Sequence, residues 1–271
     1  MTRHRSIALL LCAGVLASCK LYETNAVQDI ATPAPGSRIK FHNFSPSSVG
    51  VNFFANDVKM TAISSSRCTA PVPADTLACN STGIELTTGV AFGSLGSGGL
   101  YDAVVAGQYT LTAKIAATQT VVSSVTQTIA DGKYYSFFMS GIYNATTSSA
   151  EAFVVEDAIP AGTIDFTTAY VRFVNAVSNG TGPMTLYAKN TVTSVETAVG
   201  AAVAYKAAGT FTAVPFGIYD VGARYAGQST NVTGLSRTTL SLVGGRVYTI
   251  TALGNTATAS TMSLDFTSNQ R

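Results

Sequence analysis

Short stretches that alternate apolar and polar residues, turn residues between them, and one set of blocks written twice predict an all-β chain of two tandem antiparallel β-sandwiches. Thr110-Leu111-Thr112-Ala113, Tyr135-Ser136-Phe137 and Tyr248-Thr249-Ile250 alternate at period two. All three are rich in β-branched and aromatic residues, the pattern of half-buried strands. Gly, Asn, Asp and Pro punctuate the intervals, as tight turns require.

The repeat sets the domain plan. Ile39-Lys40-Phe41-His42-Asn43 matches Val171-Arg172-Phe173-Val174-Asn175, and Val51–Ala55 matches Met184–Ala188. Val90–Gly93 corresponds to Val203–Lys206, Val104–Tyr109 to Val214–Tyr219, and Gly132–Tyr135 to Gly245–Tyr248. Five blocks in one order define two copies of about a hundred residues each, the size and strand spacing of an immunoglobulin-like sandwich. Alternation then points Phe41, Tyr109, Tyr135 and Phe137 into the first core, and Phe173, Tyr219, Tyr248 and Ile250 into the second. Alanine-rich Glu196–Ala208 is the one candidate helix, but its match to the strand-like block at Val90 favours strand.

The N-terminus carries a different signal. Basic Thr2-Arg3-His4-Arg5, apolar Ile7–Val15 and Leu16-Ala17-Ser18-Cys19 follow the order of a secretory leader ending in a lipoprotein cysteine. On this reading residues 1–18 are a signal peptide, Cys19 is lipidated and residues 19–37 form a tether. Residues 38–160 form the first sandwich, 161–169 the linker and 170–271 the second sandwich. The expected location is the bacterial cell envelope, lipid-anchored and extracytoplasmic. Lys20 after the cysteine leans toward an outer membrane or cell surface. Acyl chains contribute roughly 0.8 kcal/mol per buried methylene, and two or more hold firmly.

Composition narrows the partners. Of 271 residues 46% are hydrophobic and 11% charged, enough apolar material for packed cores. Loss of Arg3 and Arg5 takes the formal charge from +2 to zero, which leaves no electrostatic footprint for nucleic acid. Of four cysteines, Cys12 leaves with the leader and Cys19 takes lipid. Cys68 and Cys79 remain as one pair bracketing a Pro-containing loop. With no nearby His or further Cys, and no C-x-x-C spacing, a structural disulfide is expected over a metal or redox pair. Such a short loop gains about 3 kcal/mol from the bridge by chain-entropy reasoning. The stretch Asn56–Val90 is much longer than its counterpart Asn190–Val203, so the pair pins an insertion.

These blocks resemble a bacterial family of extracellular domains known as domain of unknown function 4397. The likeness rests on Lys40-Phe41-x-Asn43 and Arg172-Phe173-x-Asn175, on the Val-x-x-Gly-x-Tyr turns at Val104–Tyr109 and Val214–Tyr219, and on the Gly-Lys/Arg-x-Tyr strands at Gly132 and Gly245. It covers most of the mature chain. The resemblance implies surface-exposed β-sandwich domains, often repeated and often lipid-anchored, and it brings no catalytic residues.

Chemistry-bearing residues are sparse. His42 is the sole histidine past the leader; Val174 replaces it in the second copy, so it reads as an exposed strand residue and not as a base. Glu151, Glu156 and Asp157 form the densest acidic group, yet lack a calcium-loop pattern and read as a solvated edge. Gly93–Gly99 lacks the lysine of a phosphate loop and reads as a flexible hairpin. No catalytic, cofactor or metal residues are assigned. One comparison points to a surface. Tyr134 and Phe138 stand where the second copy has Val247 and Thr251, on the outward face of a late strand. Exposed aromatics there would stack on a glycan or anchor an envelope protein. Burial against the other sandwich or beneath the disulfide loop is the alternative. The expectation is a non-enzymatic surface, adhesion or scaffolding protein, with a carbohydrate-binding module as the second reading.

Overall fold

The computed structural model describes residues 36–61, 85, 88–161 and 165–269. Cys19, Cys68 and Cys79 lie outside the described residues, so the expected lipidation and disulfide fall there too. Pro35–Arg271 forms one compact unit.

The described chain is all-β. Its first nine strands are β1 (Ser37–Asn43), β2 (Val51–Ala55), β3 (Val58–Lys59), β4 (Ser94–Leu95), β5 (Asp102–Val104), β6 (Gly107–Ile115), β7 (Val121–Ile129), β8 (Tyr134–Asn144) and β9 (Ser149–Glu156). They make a sheet of order β4-β1-β8-β9, with β5 also on β1, and a second sheet of order β3-β2-β6-β7.

Nine more follow: β10 (Thr168–Asn175), β11 (Met184–Asn190), β12 (Glu196–Val203), β13 (Ala207–Ala208), β14 (Thr212–Pro215), β15 (Gly217–Tyr225), β16 (Ser236–Leu242), β17 (Val247–Asn255) and β18 (Thr258–Ser268). Their sheets run β13-β10-β17-β18, with β14 on β10, and β12-β11-β15-β16. Adding nine to each strand number of the first half reproduces the second. Glu196–Ala208 is strand, as its matched block indicates.

One feature departs from the antiparallel expectation. β1 pairs parallel with β8, and β10 with β17. The first strand of each half runs alongside the eighth, so the sheets are antiparallel-rich but mixed.

Each half has its own core between its two sheets. Ile39, Phe41, Phe53, Leu111 and Phe137 fill the first, and Val171, Phe173, Leu186, Ala223 and Ile250 the second. Phe41 stacks on Phe53 at 5.2 Å between ring centroids. Of the eight residues expected to face inward, all are buried except Tyr109, which is partly buried against the first core.

The repeated motifs have local causes. Gly132 and Gly245 sit at φ +68° and +76°, a left-handed turn that glycine adopts without a Cβ penalty. Asn43 and Asn175 close the ends of their strands. Their Nδ2 atoms donate to the carbonyls of Val90 (2.8 Å) and Val203 (3.1 Å).

Candidate functional site

The residues that carry most of the polar chemistry meet where the two halves join. Alternation along β1 sends Ile39 and Phe41 into the core, and Lys40 and His42 to the opposite face. On β10 it does the same with Val171 and Phe173 against Arg172 and Val174. In a lone sandwich that second face would be wet. Here the two faces cover each other, so Lys40, His42 and Arg172 are each at most 2% exposed.

Arg172 ties across to Asp157, just past β9. Its Nη2 donates to Asp157 Oδ1, its Nη1 to the Glu156 carbonyl at 3.1 Å, and its Nε to Thr249 Oγ1 at 2.9 Å. Asp157 Oδ2 also accepts from the Tyr101 hydroxyl (2.6 Å) and from Ser136 Oγ (2.7 Å). Asn269, just past β18, continues the network: its Nδ2 donates to Tyr101 Oη at 2.8 Å and its Oδ1 accepts from Thr249 at 2.8 Å. A buried ion pair is stable only when its remaining donors and acceptors are also satisfied, which this lattice achieves.

Lys40 mirrors Arg172. Its Nζ donates to the Ser268 carbonyl at 2.7 Å and lies 4.2 Å from the centre of the Tyr101 ring. Arg172 in turn lies 4.8 Å from the ring of Phe211, the counterpart of Tyr101. Burial lowers the pKa of the Lys40 ammonium to about 8, opposed by the charge of Asp157. Burial and its bond to Asp157 push the Tyr101 hydroxyl well above the ordinary range.

Between these groups and the far rim lies an apolar seam of Phe44, Phe138, Phe153, Val174, Ala176 and Leu253. Phe138 is fully buried here. It stacks on His42 at 4.3 Å and on Phe153 at 5.0 Å, and Phe153 meets Tyr205 of the second half at 6.3 Å. This corrects the reading of Phe138 as a ligand or partner surface: the aromatic faces outward from its own sandwich and is covered by the other. His42 is corrected for the same reason. Not exposed, it donates from Nδ1 to the Phe137 carbonyl at 3.1 Å, and burial drives its pKa down to about 3. At the far rim Tyr205 bonds Ser140 (2.9 Å) and Glu151 (2.8 Å), and Lys206 pairs with Glu151 at 2.8 Å.

Tyr134 lies elsewhere. Half-buried, it meets Tyr101 edge-to-face at 5.1 Å on the border of an open groove of about 830 Å³. Arg38, Lys40, Leu100 and Phe266 also line this groove, which draws its walls from both halves. A smaller groove of about 510 Å³ flanks Arg172 and Phe211 at the equivalent place. Arg38, Tyr101, Tyr134 and Phe266 are partly exposed members of the wall, so the groove combines aromatic edges with one accessible cation.

The acidic trio is dispersed. Asp157 is buried in the ion pair, Glu156 pairs with Lys133 at 3.0 Å near the surface, and Glu151 sits at the far rim. The solvated-edge reading therefore fails for Asp157, because the second half covers it. Gly96–Gly99 closes as a 3-10 turn, with the Ser97 hydroxyl 2.9 Å from both Asp102 carboxylate oxygens. Among the described residues no three His, Cys, Asp or Glu side chains converge as a metal site would require.

Neither known protein-family models nor curated proteins give a match to this chain. Sequence reasoning missed Tyr101, Asp157 and Asn269 as partners. The signal available was a basic residue at one position of both copies, on the strand face away from the core.

Proposed function

We propose that the chain is a lipid-anchored, extracytoplasmic protein of the bacterial envelope that works as a non-enzymatic surface, adhesion or scaffolding element. On this reading it comprises two tandem immunoglobulin-like modules that resemble domain of unknown function 4397. Support for the module comes from a matched tyrosine. The Tyr109 and Tyr219 hydroxyls each donate at 2.9 Å to the carbonyl four residues upstream, Val105 and Pro215. Immunoglobulin-like sandwiches use a comparable tyrosine bond at a strand corner.

The observation that carries the proposal is the seam. Asp157, Arg172, Lys40 and His42, the groups most suited to catalysis, are bonded across or beneath the junction and hold two sandwiches as one body. That is the build of a support. The anchor is tested by palmitate labelling: the parent chain takes up label and fractionates with membranes, and Cys19→Ala does neither. Equal labelling of the variant, or none in the parent, overturns it.

A second reading, glycan binding, is favoured by the groove at Tyr134 and Tyr101. Glycan-array binding that falls on Tyr134→Ser, with unfolding midpoint unchanged, supports it. A parent protein that binds nothing on the array removes it.

A further inference from the structure

The exposed apolar side chains gather at one end of the molecule. Among the described residues twelve large hydrophobics are exposed. Six lie at one end of the second half: Phe166 (74%), Val192 (87%), Val195, Phe216 (61%) and Val243 in loops, and Ile218 at the start of β15. Main-chain bonds knit these loops together. Thr191 N–H donates to the Ile218 carbonyl at 3.0 Å, Phe216 N–H to Thr167 at 3.0 Å, and Gly245 N–H to Thr168 at 2.7 Å. The fit is close enough that a Cβ on Gly244 would fall 1.8 Å from the Phe166 carbonyl oxygen.

The first half turns the same end in the same direction. Lys40 lies over Tyr101, which donates to the Asp157 that Arg172 also holds, and Phe44 and Ala176, four residues further along, meet in one cluster. β1 and β10 therefore run side by side with their starts together. Val58 and Val105, 65% and 62% exposed, lie at this end of the first half, near the start of β1. Eight of these twelve exposed hydrophobics thus share the end at which β1 begins. Sixteen residues lie between Cys19 and Gly36, a reach of at most roughly 60 Å when fully extended.

We propose that this end is a membrane-contacting surface, which sets Phe216, Val192 and their neighbours into the boundary of the phospholipid bilayer that holds the N-terminal tether. The proposal rests on the lipid-anchor reading for its choice of membrane. Side chains projecting singly from turns suit a bilayer boundary, where loops enter between headgroups. Tethering raises the local concentration of lipid, so weak loop contacts suffice to orient the body.

The chain has no tryptophan, so one introduced indole reports alone. Residues Lys20–Arg271, which contain the whole compact unit, are held on phosphatidylethanolamine/phosphatidylglycerol vesicles by an N-terminal hexahistidine and a nickel-chelating lipid. This removes lipidation from the test. Phe216→Trp is expected to shift to the blue on vesicles and to be quenched by brominated acyl chains. Ile142→Trp, beyond the opposite end of β1 in the register, is expected to do neither. Adding Val192→Asp and Ile218→Asp to Phe216→Trp should abolish the quenching, with circular dichroism showing the fold intact. Vesicle-bound Phe216→Trp protein whose indole is neither shifted nor quenched overturns the proposal and leaves the anchor reading standing. So does equal quenching at both positions, or a blue shift of the Phe216→Trp variant without lipid that grows with protein concentration, which marks a second copy as the occupant. Failed palmitate labelling of the native chain would instead strike the anchor reading.

Discussion

Lys40 and Arg172 occupy the same position in the two halves, face the same seam and lie over equivalent rings, yet they are satisfied differently. Arg172 finds a carboxylate, because Asp157 follows the last strand of the first half. The matching position after the last strand of the second half is Asn269, so Lys40 receives a main-chain carbonyl and an aromatic face. The guanidinium spreads three bonds over three acceptors, a task its planar fork suits. The ammonium, less well matched, has its pKa lowered to about 8 by burial. Two copies that meet through equivalent faces resemble an isologous dimer joined on one chain. Once joined, each face is free to differ, and here the buried ion pair forms at Arg172 and not at Lys40.

The sharpest way to break that comparison is to remove the carboxylate. Asp157→Ala leaves Arg172 buried without its counter-charge and should cost about 3–5 kcal/mol. Asn269→Ala removes neutral bonds to Tyr101 and Thr249 and should cost about 1–3 kcal/mol. Chemical denaturation of both variants checks this, and equal losses would mean that the ion pair does not dominate the seam.

His42 and Val174 form the next contrast. Burial holds the imidazole neutral down to about pH 3, whereas in the unfolded chain it protonates near 6.5. Between those values the unfolded state binds the extra proton, so folding stability falls as pH drops from about 6.5 toward 3. At pH 4.5 the loss attributable to His42 is about 3 kcal/mol, two units at about 1.4 kcal/mol each. His42→Val, the residue that the second half already carries there, should remove that part of the acid limb. Thermal unfolding of parent and variant at pH 7 and pH 4.5 reads the difference, and parallel curves would show that the ring is hydrated in the folded protein.

Much of this architecture was legible from strand alternation and the repeat. Phe41 with Phe173, Tyr135 with Tyr248 and the Gly132 and Gly245 turns are local features, and local features survive in a sequence. The mixed sheets were less visible, because alternation does not reveal the direction of a neighbour. The seam was hidden for a stronger reason. Phe138, His42 and Lys40 lie on a strand face that reads as outward until the second copy is known to cover it. Asp157 reads as one of three acids in a run, although its partner lies fifteen residues on, across the linker. Tyr134 keeps its place beside the groove because it lies beyond the edge of that cover.

The smallest expected effect comes from the remaining mismatch, Phe138 against Thr251. Phe138 fills the seam with apolar surface and stacks between two rings. Thr251 is equally buried, but its hydroxyl finds no partner. A buried hydroxyl without a hydrogen bond costs about 1–3 kcal/mol of desolvation. Thr251→Val keeps the shape, removes the unsatisfied oxygen and should raise stability by about 1 kcal/mol, seen as a higher denaturation midpoint with unchanged slope. Thr251→Ala, which also leaves a methyl-sized gap, should forfeit most of that gain. If Val lowered the midpoint instead, water would have to reach Thr251 within the seam, and the two faces would meet less closely than their packing indicates.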